Sequence, residues 1–238
     1  MSLVYICLVM IKRHFLITAL FLVCMPMVLW CQDYEVNFLG IPVVRVHIQQ
    51  IPNEDPGLVT YEYAARTTPL FSAIYKVNNH YRVTMDTSMS RIVSYEKEIS
   101  QKNFKQSFHT LYKPGKTIYS TGEERIAETN RHTMLSLLLS LTRESTPREF
   151  STPLEIEGAY YSTRMIPREK NSNILEWEII LLPDGGSSVL ASTDLFTSRL
   201  ADPEAQRSVS VDISTGRIVS ACFTLSPYTL TARILGDS

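Results

Sequence analysis

Along most of the chain, apolar and polar residues alternate with a period of two, the signature of strands that bury one face. Within residues 35–50, Val44, Val46 and Ile48 alternate with Arg45 and His47, and Asn53-Glu54-Asp55-Pro56-Gly57 supplies a turn. Val59 to Ala64 alternates again. Phe71–Tyr75 and Tyr81–Met85 flank Val77-Asn78-Asn79-His80, which predicts a hairpin because Asn tolerates the left-handed backbone of a tight turn. Ile92–Ile99 and Phe104–Tyr112 predict two further strands; Pro114-Gly115 closes the second, and Thr117 to Tyr119 opens another. The C-terminal part continues with Leu154–Met165 and with Ile174–Leu182, closed by Pro183-Asp184-Gly185-Gly186. Ser208–Ile213 and Arg217–Leu225 are joined by Ser214-Thr215-Gly216, a three-residue hairpin loop, and Tyr228–Leu235 predicts a last strand.

One segment breaks the period. Between Arg131 and Arg143, Met134, Leu137, Leu138 and Leu141 fall on one helical face, Asn130 suits the N-cap, and Pro147 blocks continuation. Arg143 sits where the helix dipole favours positive charge. The segment is too short to span a membrane. Ten or so strands and one helix imply a mainly β fold: a strongly curved antiparallel sheet or partial barrel, with the helix buried on its concave face.

The first 31 residues read differently. Lys12-Arg13-His14 precedes an apolar run from Phe15 to Cys31, interrupted by Pro26, and polar Gln32-Asp33 follows. Basic, then apolar, then polar is the order of an exported protein's signal segment. Met10 opens a more conventional signal than Met1, so the true start is one of the two. Three fates are open to this segment. The first is cleavage near Cys31, although Leu29 is larger than the residue preferred there. The second is lipidation of Cys31, although Trp30 replaces the small residue expected before it. The third is retention as a membrane anchor. The chain thus divides into a signal segment, 1–31, and one β-rich domain, 32–238, destined for the periplasm or outer cell envelope.

Composition narrows the function classes. Hydrophobic residues make up 45% and charged residues 20%, enough for a packed core. Cleavage after Cys31 removes two of the 23 basic residues against 24 acidic ones, so the mature charge is -3. That near balance, without basic runs along the mature chain, argues against nucleic acid and makes no electrostatic case for anionic lipid. Of the four cysteines, Cys7, Cys24 and Cys31 lie in the signal region. Cys222 is left alone in an apolar strand, as a buried inert thiol.

No motif carries a reaction. His47, His80, His109 and His132 show no metal-ligand spacing and read as surface or strand residues. There is no Gly-x-Ser-x-Gly elbow and no phosphate-cradling glycine loop. Glu155 with Glu157, and Glu176 with Glu178, read as solvated strand faces rather than paired catalytic carboxylates. Trp177 points away from the second pair, into the core. Twelve tyrosines, seven of them spread over predicted strands from Tyr61 to Tyr119, suit cross-strand packing. An aromatic-lined concave sheet would use the same residues to bind apolar or sugar ligands.

From about Tyr61 to Ile234 the chain resembles an exported bacterial family catalogued as domain of unknown function 3108. The resemblance rests on Tyr81-Arg-Val with Ser94-Tyr95 and Phe104-Lys-Gln106 as its central β section. It rests also on Arg131–Arg143 as its helix, and on Thr193-Asp194-Leu195, Val211-Asp212 and Gly216-Arg217-Ile218 as its C-terminal strands. It implies export and a curved antiparallel sheet around a helix, and supplies no catalytic residues. The expectation is a non-enzymatic envelope protein that binds an apolar or amphiphilic ligand, or a partner, on a curved sheet. A lipid or an envelope protein is the candidate partner, and no cofactor or metal is called for. The alternatives are an assembly factor working through protein contacts alone and an enzyme whose site is unrecognised.

Overall fold

The computed structural model describes residues 30–88, 91–127, 131–144, 146–169, 171 and 173–236. Residues 1–29 of the basic and apolar run read as a signal segment, and the proposed cap Asn130, lie outside the described residues, whereas Cys31, the last residue of that run, opens the first strand. Cys31–Ser238 forms one compact unit.

Fourteen antiparallel strands make one continuous sheet. They are β1 (Cys31–Phe38), β2 (Ile41–Ile51), β3 (Leu58–Thr67), β4 (Asn78–Asp86), β5 (Ile92–Gln101), β6 (Phe104–Lys113), β7 (Gly115–Tyr119) and β8 (Glu124–Ala127). After a helix come β9 (Phe150–Ile156), β10 (Ala159–Glu169), β11 (Ile174–Gly185), β12 (Gln206–Asp212), β13 (Arg217–Leu225) and β14 (Tyr228–Ile234). Each strand pairs with its chain neighbour except at one place. The first and last strands, β1 and β14, are hydrogen-bonded to each other, and the sheet instead ends at β8 and β9. The sheet is therefore an up-and-down barrel left open at a seam in mid-sequence. Register shifts at Val36/Asn37, Thr84/Met85, Tyr160/Tyr161 and Ser210/Val211 bend the strands into this curvature.

Three helices occur among the described residues: α1 (Pro69–Ser72), α2 (Met134–Leu141) and α3 (Leu195–Leu200). The connection between β8 and β9 carries α2, so the helix enters the barrel at the seam. Its N-cap is Thr133, in a capping box with Ser136. Leu137, Leu139 and Leu141 are buried, whereas Met134 and Leu138 are half-buried. The buried face is thus rotated by about one residue from the sequence expectation. The C-terminal end of α2 fills one end of the barrel: Arg143 Nη1 donates to Thr87 O at 3.0 Å. There it packs within a core that includes Met85, Leu154, Met165 and Trp177, each 0% exposed.

Other expectations are corrected. Asn78 and Asn79 are not a turn; they open β4. Asn79 is fully buried, its Nδ2 donating to Tyr81 Oη at 3.1 Å and its Oδ1 accepting from Ser100 N at 3.3 Å. The turn lies earlier, where Pro69 starts α1. Leu154–Met165 is two strands: Glu157 (φ 52°) and Gly158 (φ 89°) form a two-residue turn between them. The local rules point to Asn-Gly and Asp-Gly for such a turn, and Glu-Gly escapes them. Pro183-Asp184-Gly185 does not close β11 but completes it, with Pro183 opposite Tyr161. Thr193-Asp194-Leu195 is not strand: Asp194 N-caps α3, accepting from Phe196 N and Thr197 N. Trp177 is a core residue as expected, edge-on to Phe150 at 5.4 Å.

Candidate functional site

The barrel is filled unevenly. Between the N-terminal turn of α2 and the opposite end of the barrel lies a cavity of about 310 Å³. Strand alternation builds its walls. Val46, Ala65 and Asn79 stand in one cross-strand row, and Tyr63, Tyr81 and Lys97 in the next. Met134, Leu135 and Leu138 of α2 form one side, and Phe196 and Leu200 of α3 another. Tyr95 and Tyr112 complete an aromatic wall. Burial pushes the hydroxyls of Tyr63, Tyr95 and Tyr112 well above their ordinary pKa, so they are neutral donors. The strand tyrosines therefore serve both packing and the cavity wall.

Two polar atoms on the cavity lining lack a protein partner, Thr110 Oγ1 and Glu155 Oε2. Thr110 is paired in register with Tyr119, whose hydroxyl is also unsatisfied. Glu155 is 2% exposed. Desolvation raises its pKa, against the lowering influence of Tyr119, the Gly158 backbone, Arg131 and Arg125. Tyr119 is near enough to favour the charged carboxylate without reaching a well-formed hydrogen bond.

Beside the cavity sits a buried ion cluster. Lys97, at 0% side-chain exposure, pairs with Glu157 and with Asp194 at 3.0 Å, and donates to Thr193 Oγ1 at 3.2 Å. Thr193 Oγ1 in turn donates to Glu157 Oε1 at 2.9 Å. Asp194 also accepts Thr197 Oγ1 at 2.6 Å. Every donor of the ammonium is engaged within the cluster. It is a clamp fastening the segment that carries α3 to the barrel wall. A second clamp is Arg207, whose guanidinium donates to the carbonyls of Leu200, Ala205 and Asp202. At the seam, Arg125 donates to Gly158 O, Arg131 lies 4.0 Å over the Tyr160 ring, and His132 bridges to Leu154.

Glu155 and Glu157 are thus not a solvated face: the tight turn carries both inside, one to the cavity and one to Lys97. Glu176 and Glu178 are only half-buried, with Glu178 paired to Arg168, as a strand face requires. Cys222 is half-buried on the cavity wall rather than sealed in the core. The scattered histidines gain one unexpected grouping. His47 Nδ1 is 2.8 Å from Asp33 and 3.8 Å from Cys31 Sγ, a trio of two exposed residues and a half-buried one whose atoms would suit a metal. Lys97 and Asp194 carried no sequence signal as a pair, being 97 residues apart. Thr193-Asp194 ahead of an apolar pair is an N-cap signal that locates α3 in retrospect.

No family model matches the chain, and no curated protein matches it. Among solved structures it is similar to the β-barrel-like protein of domain of unknown function 1849 from Brucella abortus. The TM-score is 0.54 at 8% identity, covering 86% of this chain and 95% of that one. The likeness shows a β-barrel-like fold of unknown function. It does not extend to family 3108 in particular, which the resemblance in sequence suggested.

Proposed function

We propose that the protein is an exported, non-enzymatic envelope protein whose barrel binds an apolar or amphiphilic ligand in its interior cavity. One observation carries the reading: the cavity is lined by aliphatic and aromatic side chains, yet two of its lining residues, Glu155 and Thr110, each hold a partnerless polar atom, Oε2 and Oγ1. An apolar chain gains ~25 cal/mol for each Å² it removes from water. A polar head would satisfy the two orphaned groups, whose desolvation is otherwise uncompensated. At about 310 Å³ the cavity meets the lower bound of roughly 300 Å³ typical of small-ligand sites. The basic, apolar and polar order of the first 31 residues supports export.

The enzyme reading loses ground because Lys97 spends its ammonium donors within its own cluster. The assembly-factor reading keeps one support. Terminal strand β8 ends the sheet and leaves Ile126 83% exposed, an edge to which another chain could add a strand.

Native protein purified from the envelope, extracted and examined by mass spectrometry, should carry lipid. Val46→Trp, which fills the cavity from its wall, should weaken binding of an environment-sensitive apolar fluorophore about tenfold or more. Lipid-free native protein together with unchanged fluorophore binding in the variant would replace the carrier by the assembly factor.

A further inference from the structure

At the cavity end of the barrel, four large aliphatic side chains stand in solvent on adjoining turns. Leu39 and Ile41 flank the β1–β2 turn and are 67% and 54% exposed; Leu70 of α1 and Ile74 just after it are 79% and 65% exposed. The two pairs share one surface, since Thr68 Oγ1 donates to Pro42 O at 3.0 Å and Thr68 N to Val43 O at 2.9 Å. Single exposed aliphatics are ordinary, but a cluster of them marks an interaction site.

Basic side chains predominate around the cluster, with half-buried Glu35, opposite Arg45 across β1 and β2, as an acidic neighbour. Arg45 and Arg66 face each other across β2 and β3. Lys76 follows α1, and Lys102 N donates to Lys76 O. All four side chains are exposed. No Asp or Glu occurs between Val36 and Asn53, or between Tyr63 and Met85. These cations are dispersed in sequence, and only the barrel gathers them.

We propose that this end of the barrel docks on an anionic lipid bilayer. The aliphatic side chains enter the interface and the basic ones meet anionic headgroups. Charge selects the occupant. An apolar patch alone suits a protein groove equally well, whereas aliphatic tips beside an excess of cations are the composition of an interfacial membrane anchor. Val44 and Ala65, two residues inward from Pro42 and Thr67, line the cavity, so docking sets the cavity end against the membrane. The surface is separate from the cavity, and docking holds whether or not the cavity carries a ligand.

The full chain with Leu70→Trp is mixed with vesicles of phosphatidylcholine containing about 30% phosphatidylglycerol and brominated acyl chains. The added indole should shift to the blue and be quenched, over the background that Trp30 and Trp177 give in the unsubstituted chain. Ile213→Trp, at the far end, should stay unquenched. Because the readout belongs to the substituted position, binding through the N-terminal segment does not mimic it. The combined Leu39→Asp, Leu70→Asp and Ile74→Asp variant should lower the vesicle-bound fraction about tenfold. Ionic strength of about 0.5 M should weaken binding of the unsubstituted chain. An unquenched indole at position 70 overturns the proposal, as does equal binding to pure phosphatidylcholine. So does concentration-dependent burial of that indole without lipid, which would make the patch a contact between copies of the chain.

Discussion

Removing the Lys97 ammonium tests the clamp over the cavity. Lys97→Met keeps most of the side-chain volume and deletes the charge. Glu157, 5% exposed, and Asp194, 1% exposed, are then left as two buried carboxylates that had shared one cation. Breaking a buried pair from one side costs about 3–5 kcal/mol, because the remaining charge is neither solvated nor neutralised. For a domain of this size that corresponds to a fall in Tm of roughly 6–20 °C. Urea unfolding followed by the emission of buried Trp177 reads the global loss, and hydrogen exchange reads the local one. Protection should fall first along Gly186–Ala205, the segment Asp194 anchors. Combining Lys97→Met with Glu157→Gln and Asp194→Asn removes all three charges while leaving an Asn able to cap α3, so much of the loss should return. A loss below about 1 kcal/mol for Lys97→Met, the range of a solvated surface pair, would refute the claim of a dry, saturated cluster. A loss that the triple substitution deepens would refute the electrostatic account of it.

Three further outcomes follow from burial and backbone geometry. Glu155 has a folded-state pKa above its ordinary value of 4.5. Its stabilising contribution is complete below that value and fades as pH rises through the folded-state pKa. Glu155→Gln should therefore gain urea resistance over the parent as pH rises from about 4.5 to about 7.5; superimposable profiles would contradict the raised pKa. Leu137→Ala, at a fully buried position, should cost about 2–5 kcal/mol. Leu138→Ala should cost less, because that side chain borders space already empty, and calorimetry showing equal losses would move the cavity elsewhere. Gly158→Ala places a methyl group 2.7 Å from Val189 Cγ1 and 3.1 Å from Arg125 Nη1 at a φ of +89°. It should destabilise by about 1–3 kcal/mol in thermal melts, and an unchanged Tm would mean that the turn relaxes freely.

The period-two alternation was enough to establish the mainly antiparallel β class, most strand positions and the helix between Arg131 and Arg143. Alternation is a local consequence of a sheet with one wet and one dry face, so it survives in the one-dimensional string. Where local signals were weak or borrowed, the reading slipped. Asn78-Asn79 looked like a turn, but their polar groups are satisfied across strands by Tyr81 and Ser100. Glu157 lacked a turn's usual composition, yet it takes a left-handed backbone in a turn whose side chain reaches Lys97. The rotation of the α2 face was set by what the barrel left unfilled.

The site itself belongs to tertiary structure. Glu155 and Glu157 read as solvent-facing until the hairpin carries them inside. Lys97 meets Asp194 only because β5 and the α3 loop close on the same end of the barrel. Arg45, Arg66, Lys76 and Lys102 amount to no cluster along the chain and become one where four chain segments converge. Side-chain period records which face of an element is dry. It does not record which distant elements share that face, and burial, pairing and charge accumulation are properties of that sharing.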